Sequence, residues 1–95
     1  MIIVSQDKGK IINFDNMTRV YITFDEGDDD VCIRTETVDS LYEDLGYYKT
    51  EERAKEVLQE IVKATIETRK SQELNNLFGG AGIIPSNTYY EMPED

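Results

Sequence analysis

YYKTEERAKEVLQEIVKATIETRKSQEL, residues 47–74, decides the fold. Ala54, Val57, Leu58, Ile61, Val62 and Ile66 recur at the i, i+3, i+4, i+7, i+8 spacing that lines one face of an α-helix. Thr50 stands where an N-cap belongs. Glu51 and Glu52 fill the first turn, where the positive end of the helix dipole favours carboxylates. Arg53 occupies the place where a capping box would put Glu or Gln, so the box is incomplete. Glu51 and Lys55 make an i, i+4 pair of the favourable order, worth about 0.3 kcal/mol. A single amphipathic helix needs a surface to cover. The rest of the chain reads as strands, so that surface is expected to be a sheet.

Before the helix, residues 1–6 (MIIVSQ) read as a short strand closed by the polar turn Asp7, Lys8, Gly9, Lys10. Residues 11–14 form a second run, and Asp15 and Asn16 can bend the chain. Residues 19–24 alternate, with Val20, Ile22 and Phe24 on one face and Arg19, Tyr21 and Thr23 on the other. DEGDDD, residues 25–30, is the natural hairpin connection, since Gly27 accepts a positive φ. Residues 31–36 continue the alternation, setting Val31, Ile33 and Thr35 against Cys32, Arg34 and Glu36. Residues 41–48 fit either a helical turn or a strand, and their position just before the Thr50 cap favours a strand feeding the helix.

After the helix, residues 75–87 (NNLFGGAGIIPSN) read as a Gly-rich loop, with three glycines and Pro85 ending the helix. Residues 88–93 are a β-prone tail, expected to pair at a sheet edge or to dock on a neighbouring subunit. Pro93 suits a strand end because it has no N–H to donate. The expected architecture is α+β in a single domain over residues 1–95: an antiparallel sheet of four to five strands within 1–48, one long amphipathic helix over 50–74 packed on one face, and a short C-terminal strand. A sheet covered on one face only leaves a homodimer as a natural expectation.

The formal charge of −10 is unevenly placed. Residues 51–73 carry six acids and five bases, whereas residues 25–44 carry nine acids and one base, Arg34. That acidic window argues against direct nucleic-acid binding and for a basic protein partner. No run reaches the roughly 18 apolar residues of a membrane helix. No secretory signal opens the chain, and the single cysteine rules out an internal disulfide, so the expected compartment is a reducing cytoplasm. With no histidine to activate Cys32, that thiol reads as part of a strand and not as a nucleophile.

Three groups of residues invite a functional reading. The first is acidic: Asp25, Glu26, Asp28, Asp29 and Asp30 with Glu36, Asp39, Glu43 and Asp44. It lacks the spacing and terminal bidentate Glu of a Ca²⁺ loop, so no metal is expected there. It reads either as a solvated turn that keeps a hairpin soluble or as a docking surface for an Arg/Lys-lined groove. The second is the segment 78–82, FGGAG, which is neither a P-loop nor a dinucleotide fingerprint, because no Lys-Ser/Thr follows and a helix precedes it. It reads as a linker, or as a lid carrying Phe78 to a ligand. The third is the tyrosine set, of which Tyr21, Tyr89 and Tyr90 could join Arg19 and Arg34 around a nucleotide-like ligand. No triad, Cys–His metal set or tuned acid–base pair is visible, so no enzyme and no cofactor are expected.

Residues 2–7, 11–16, 45–61 and 90–94 (IIVSQD, IINFDN, LGYYKTEERAKEVLQEI and YEMPE) resemble a group of small proteins of Gram-positive bacteria and their phages or prophages. The resemblance implies a shared fold and transfers no catalytic residue. Phage accessory proteins of this size often inhibit host defence. It therefore implies a non-enzymatic, anti-CRISPR-like inhibitor in the host cytoplasm, blocking a basic nucleic-acid-binding factor. The alternative is a sponge for a nucleotide immune signal, of anti-Thoeris or anti-CBASS type. A structural virion protein is a third option.

Overall fold

The computed structural model describes residues 1–24, 29–77 and 89–95, the side chains of 71–77 excepted. Among the described residues, six strands and one long helix follow in the order β1 (Ile2–Val4), β2 (Ile11–Asn13), β3 (Met17–Phe24), β4 (Val31–Thr37), β5 (Tyr42–Tyr48), α1 (Glu51–Leu77) and β6 (Tyr89–Glu91). A 3₁₀ turn, Phe14–Asn16, makes the bend expected at Asp15 and Asn16. Residues 41–48 do hold a strand, and the helix continues three residues past the end expected at 74. The chain reverses between Phe24 and Val31, which face each other across the β3–β4 ladder. The loop residues 78–88, and Asp25, Glu26, Gly27 and Asp28 in the hairpin, lie outside the described residues.

The α+β class holds, but the expected single antiparallel sheet of four to five strands does not. The strands divide into two three-stranded sheets, β2–β1–β6 and β3–β4–β5. Only the second is wholly antiparallel, because β6 joins β1 in parallel. The tail therefore pairs within its own chain. Gln6 explains why the first hairpin does not simply extend the central sheet. Its backbone N–H donates to the Leu45 carbonyl at 2.8 Å. Its side-chain amide then exchanges two bonds with the Tyr47 backbone, each 2.7 Å. One residue thus serves β5 as a strand would, and the chain diverges on either side of it. Gly46 permits the crossing: a Cβ there would lie 2.9 Å from the Gln6 Cβ.

Both sheets and α1 share one core, in which Met1, Ile3, Ile12, Ile33, Leu45 and Met92 meet Ala54, Val57 and Ile61 of the helix. The buried line on α1 is narrower than the apolar stripe in the sequence. Ala54, Val57 and Ile61 are fully enclosed, while Val62 and Ile66 remain 49% and 50% exposed. They lie one row to the side, over a groove that also contains Phe14 and Val20.

The helix start follows the sequence. Thr50 Oγ1 accepts the Arg53 N–H at 3.1 Å, its carbonyl accepts the Ala54 N–H, and Lys55 reaches Glu51 at 3.4 Å. Arg53, unable to complete a capping box, instead donates to the Asp95 carbonyl and to Glu56. Thr50→Ala is expected to cost about 1 kcal/mol and Thr50→Ser almost nothing. Urea midpoints of the two variants check this.

Candidate functional site

Among the described residues, the helix covers one face of β3–β4–β5 and leaves the other open. On that open face the ladder registers define three rows of three. Arg19, Glu36 and Tyr42 form one row. Tyr21, Arg34 and Asp44 form the next, and Thr23, Cys32 and Tyr47 the last. The alternation read from residues 19–24 and 31–36 foretold the first two columns. The third column depends on an irregularity. Between the pairs Ile33↔Gly46 and Arg34↔Asp44 the register shifts, so β5 carries one extra residue. Strict alternation would put Asp44 and Tyr47 on opposite faces. The bulge puts both on the open face and turns Leu45 and Tyr48 into the core, where they are 1% and 2% exposed. Gly46 inside an apolar–aromatic strand was the sequence signal for it.

Charges on this face are paired with care for geometry. Arg34 Nε donates to Asp44 Oδ1 at 2.6 Å, and the Tyr47 hydroxyl donates to Oδ2 at 2.9 Å. The Arg34 guanidinium lies 4.3 Å from the centroid of the Tyr42 ring. Arg19 repeats the motif, with its guanidinium 2.8 Å from Glu36 and 4.6 Å over the Tyr21 ring. Each arginine is thus held flat by an acid on one side and an aromatic face on the other. These contacts restrict part of the rotamer freedom that would otherwise be lost on binding.

The bond from Arg34, with further help from Tyr47, holds the Asp44 carboxyl below the usual range against the opposing effect of burial. Burial pushes the Cys32 thiol up to about 11, with Asp44 adding to the effect. At neutral pH Asp44 is therefore ionised and Cys32 is a thiol, which makes the cysteine a poor nucleophile. No three acidic or cysteine side chains among the described residues stand together so as to hold a metal ion.

Among the described residues, the acids do not form the uniform surface that their order in the chain suggested. Glu36 pairs with Arg19, Asp44 with Arg34, and Glu43, on the other side of β5, with Lys10 at 2.8 Å. Asp29 and Asp39 stand exposed and Asp30 is half-buried, while Asp25, Glu26 and Asp28 lie outside the described residues. Sequence order placed these acids in one window, but two of the three partners, Lys10 and Arg19, lie outside it and are brought near only by folding.

Of the residues considered for a small ligand, Arg19, Arg34 and Tyr21 do share the open face. Tyr42 and Tyr47, which sequence reasoning left out of that set, complete it. Tyr89 and Tyr90 belong to the other sheet. Tyr90 donates its hydroxyl to Glu60 of α1, and burial with that contact raises its pKa. Phe78 lies outside the described residues. A cleft of about 550 Å³ opens near the start of α1, lined by Tyr47, Tyr48, Lys49 and Arg53 and by the acids Asp30, Glu94 and Asp95. None of Arg19, Arg34, Tyr21, Tyr89 or Tyr90 lines it.

The fold and this face define an α+β protein with an open, aromatic- and arginine-bearing sheet surface. Compared with protein-family models, curated proteins and solved structures, the chain matches none. Among the described residues no helix is long and apolar enough to cross a membrane.

Proposed function

We propose that this chain is a non-enzymatic binding protein, a phage or prophage accessory protein that inhibits a basic host defence factor. The observation that carries the reading is the open face of β3–β4–β5, where Glu36 contacts Arg19 and Tyr21, Asp44 contacts Arg34 and Tyr47, and Tyr42 lies against Arg34. Tyr and Arg are the residues that dominate interface energetics, and side chains already locked by neighbours lose little entropy on docking. The face itself carries two guanidiniums against two carboxylates, so it supplies contact and not net charge. The chain's −10 supplies the long-range attraction toward a basic partner. In this reading the acids steer the encounter and the Tyr/Arg face holds the complex.

The test is capture from a lysate of a Gram-positive host, with wild-type chain and two variants run in parallel and eluted by salt. Arg19→Ala with Tyr42→Ala is expected to lose the captured protein, a drop of about 2 kcal/mol or some thirtyfold in affinity. Asp29→Asn with Asp39→Asn is expected to keep the complex while slowing association and flattening its salt dependence. Retention undiminished in the first variant would contradict the assignment of the face. The alternative, sequestration of a nucleotide-like signal, would draw on Arg19, Arg34 and Tyr21 of the open face, since the cleft beside Lys49 and Arg53 sets three carboxylates against two cations. A thermal-shift screen of cyclic nucleotides and ADP-ribose derivatives separates it from protein binding.

A further inference from the structure

We propose that two copies of this chain pair antiparallel through the outer edge of β3, joining their central sheets into one six-stranded sheet. An unpaired strand edge offers a row of N–H and C=O groups to any other strand, and natural proteins protect such edges. The edges here are unequally protected. β5 is covered by Gln6, whose backbone and side-chain amides bond to Leu45 and Tyr47. β2 and β6 are only three residues long. β3 has eight residues, and among the described residues no backbone bond from another segment reaches its outer side.

Which groups of β3 are open follows from two side-chain contacts. The Thr35 hydroxyl donates to the Arg19 carbonyl at 2.9 Å and the Thr18 hydroxyl to the Glu36 carbonyl at 3.0 Å. Arg19 and Glu36 therefore turn their carbonyls into the β3–β4 seam. By the alternation of an antiparallel ladder, Tyr21 and Thr23 also face β4, and Val20, Ile22 and Phe24 present their N–H and C=O groups outward. The usual protective devices are missing. MTRVYITF holds no Pro, no Lys and no Gly, and its one irregularity lies at the start, between Met17 and Arg19.

Charge selects β3 among the edges, and a self-complementary register selects a second copy as its occupant. Two chains of −10 repel, and β5 and β6 would bring carboxylates together through Glu43, Asp44 and Glu91. β3 carries no acid, and its only charge is Arg19. Pairing centred on Tyr21 sets Val20 opposite Ile22 of the second copy and Arg19 opposite Thr23, so the two arginines never face each other. The outward groups on both strands then bond reciprocally, as a twofold-symmetric interface requires. The twofold axis stands perpendicular to the sheet, so both helices stay on one side. The apolar grooves bounded by Phe14, Val20, Val62 and Ile66 then flank the seam, which accounts for exposed side chains in the helical stripe. The open Tyr/Arg face is doubled by the same operation, whatever partner it binds.

The test uses the full chain. Sedimentation equilibrium over a concentration series reaching the high micromolar range is expected to give twice 10.9 kDa. Tyr21 opposes its own copy in a close, non-hydrogen-bonded pair, with Cα atoms about 4.5 Å apart. Tyr21→Cys, oxidised with glutathione disulfide, is therefore expected to run as a covalent dimer on a non-reducing gel. Val38→Cys, more open to solvent than Tyr21 and placed in the β4–β5 turn, and the wild type with its buried Cys32 are expected to remain single chains. Thr23→Lys places a cation against Arg19 and is expected to weaken the dimer at least tenfold, while Thr23→Glu keeps it. Circular dichroism confirms that each variant folds. A wild-type chain that stays monomeric across the series overturns the proposal. So does a dimer that cross-links no better through Tyr21→Cys than through Val38→Cys.

Discussion

Ile33→Ala is expected to lower the unfolding free energy by about 2–5 kcal/mol, a large share of the roughly 5–15 kcal/mol typical of a domain. Ile33 is fully buried on β4, in the core shared by both sheets and α1. Its partner across the β4–β5 ladder is Gly46, which has no side chain to move into the space left behind. The cavity term therefore adds to the loss of transferred apolar surface. Ile66→Ala removes the same atoms from a half-exposed position and is expected to cost less than about 1 kcal/mol. Urea unfolding with an unchanged slope gives both values. Equal losses at the two positions would restore the broad helical stripe of the sequence and contradict the narrow one in the fold.

Arg34→Ala is expected to cost about 2–3 kcal/mol at pH 7, because it leaves a mostly enclosed carboxylate with one hydrogen bond fewer and without its ion-pair partner. The side chains of Arg34 and Asp44 are 18% and 27% exposed, so water replaces the lost partner only in part. The pH dependence gives the test its specificity. Asp44 titrates lower in the folded chain than in the unfolded one, chiefly through Arg34. Its contribution is therefore complete above the unfolded value, about 3.9, and is lost as pH falls through the lower folded value. The gap between wild type and Arg34→Ala should be widest near neutrality and should close in acid, once Asp44 is protonated in both. A gap that stays constant from pH 7 to strong acid would mean that the guanidinium acts through its contact with Tyr42 and not through Asp44. Asp44→Asn in both backgrounds completes the cycle.

Local patterns gave away most elements. The Thr50 cap, the run of residues at helical spacing and the alternation through β3 and β4 were each readable because the physics behind them is confined to a few neighbouring residues. Gly46 carried a bulge signal, but its effect on which residues share a face could not be counted without knowing the pairing partner. The break into two sheets was illegible for a different reason. It depends on Gln6 reaching Leu45 and Tyr47, about forty positions away, with an amide that any loop glutamine also possesses. The candidate face was half visible: Arg19, Tyr21 and Arg34 were singled out, whereas Tyr42 and Tyr47 joined them only through the shifted register of β5.

By itself the amino-acid order determined the α+β class, the start of the helix, the two long hairpin strands and the excess of negative charge. Those are short-range consequences of propensity, periodicity and composition. Tertiary structure alone decided which carboxylates are spent on internal pairs, which side of the helix is enclosed, and which strand edge stays open. Each of these turns on contacts between residues far apart in the chain, where distance in sequence says nothing about distance in space.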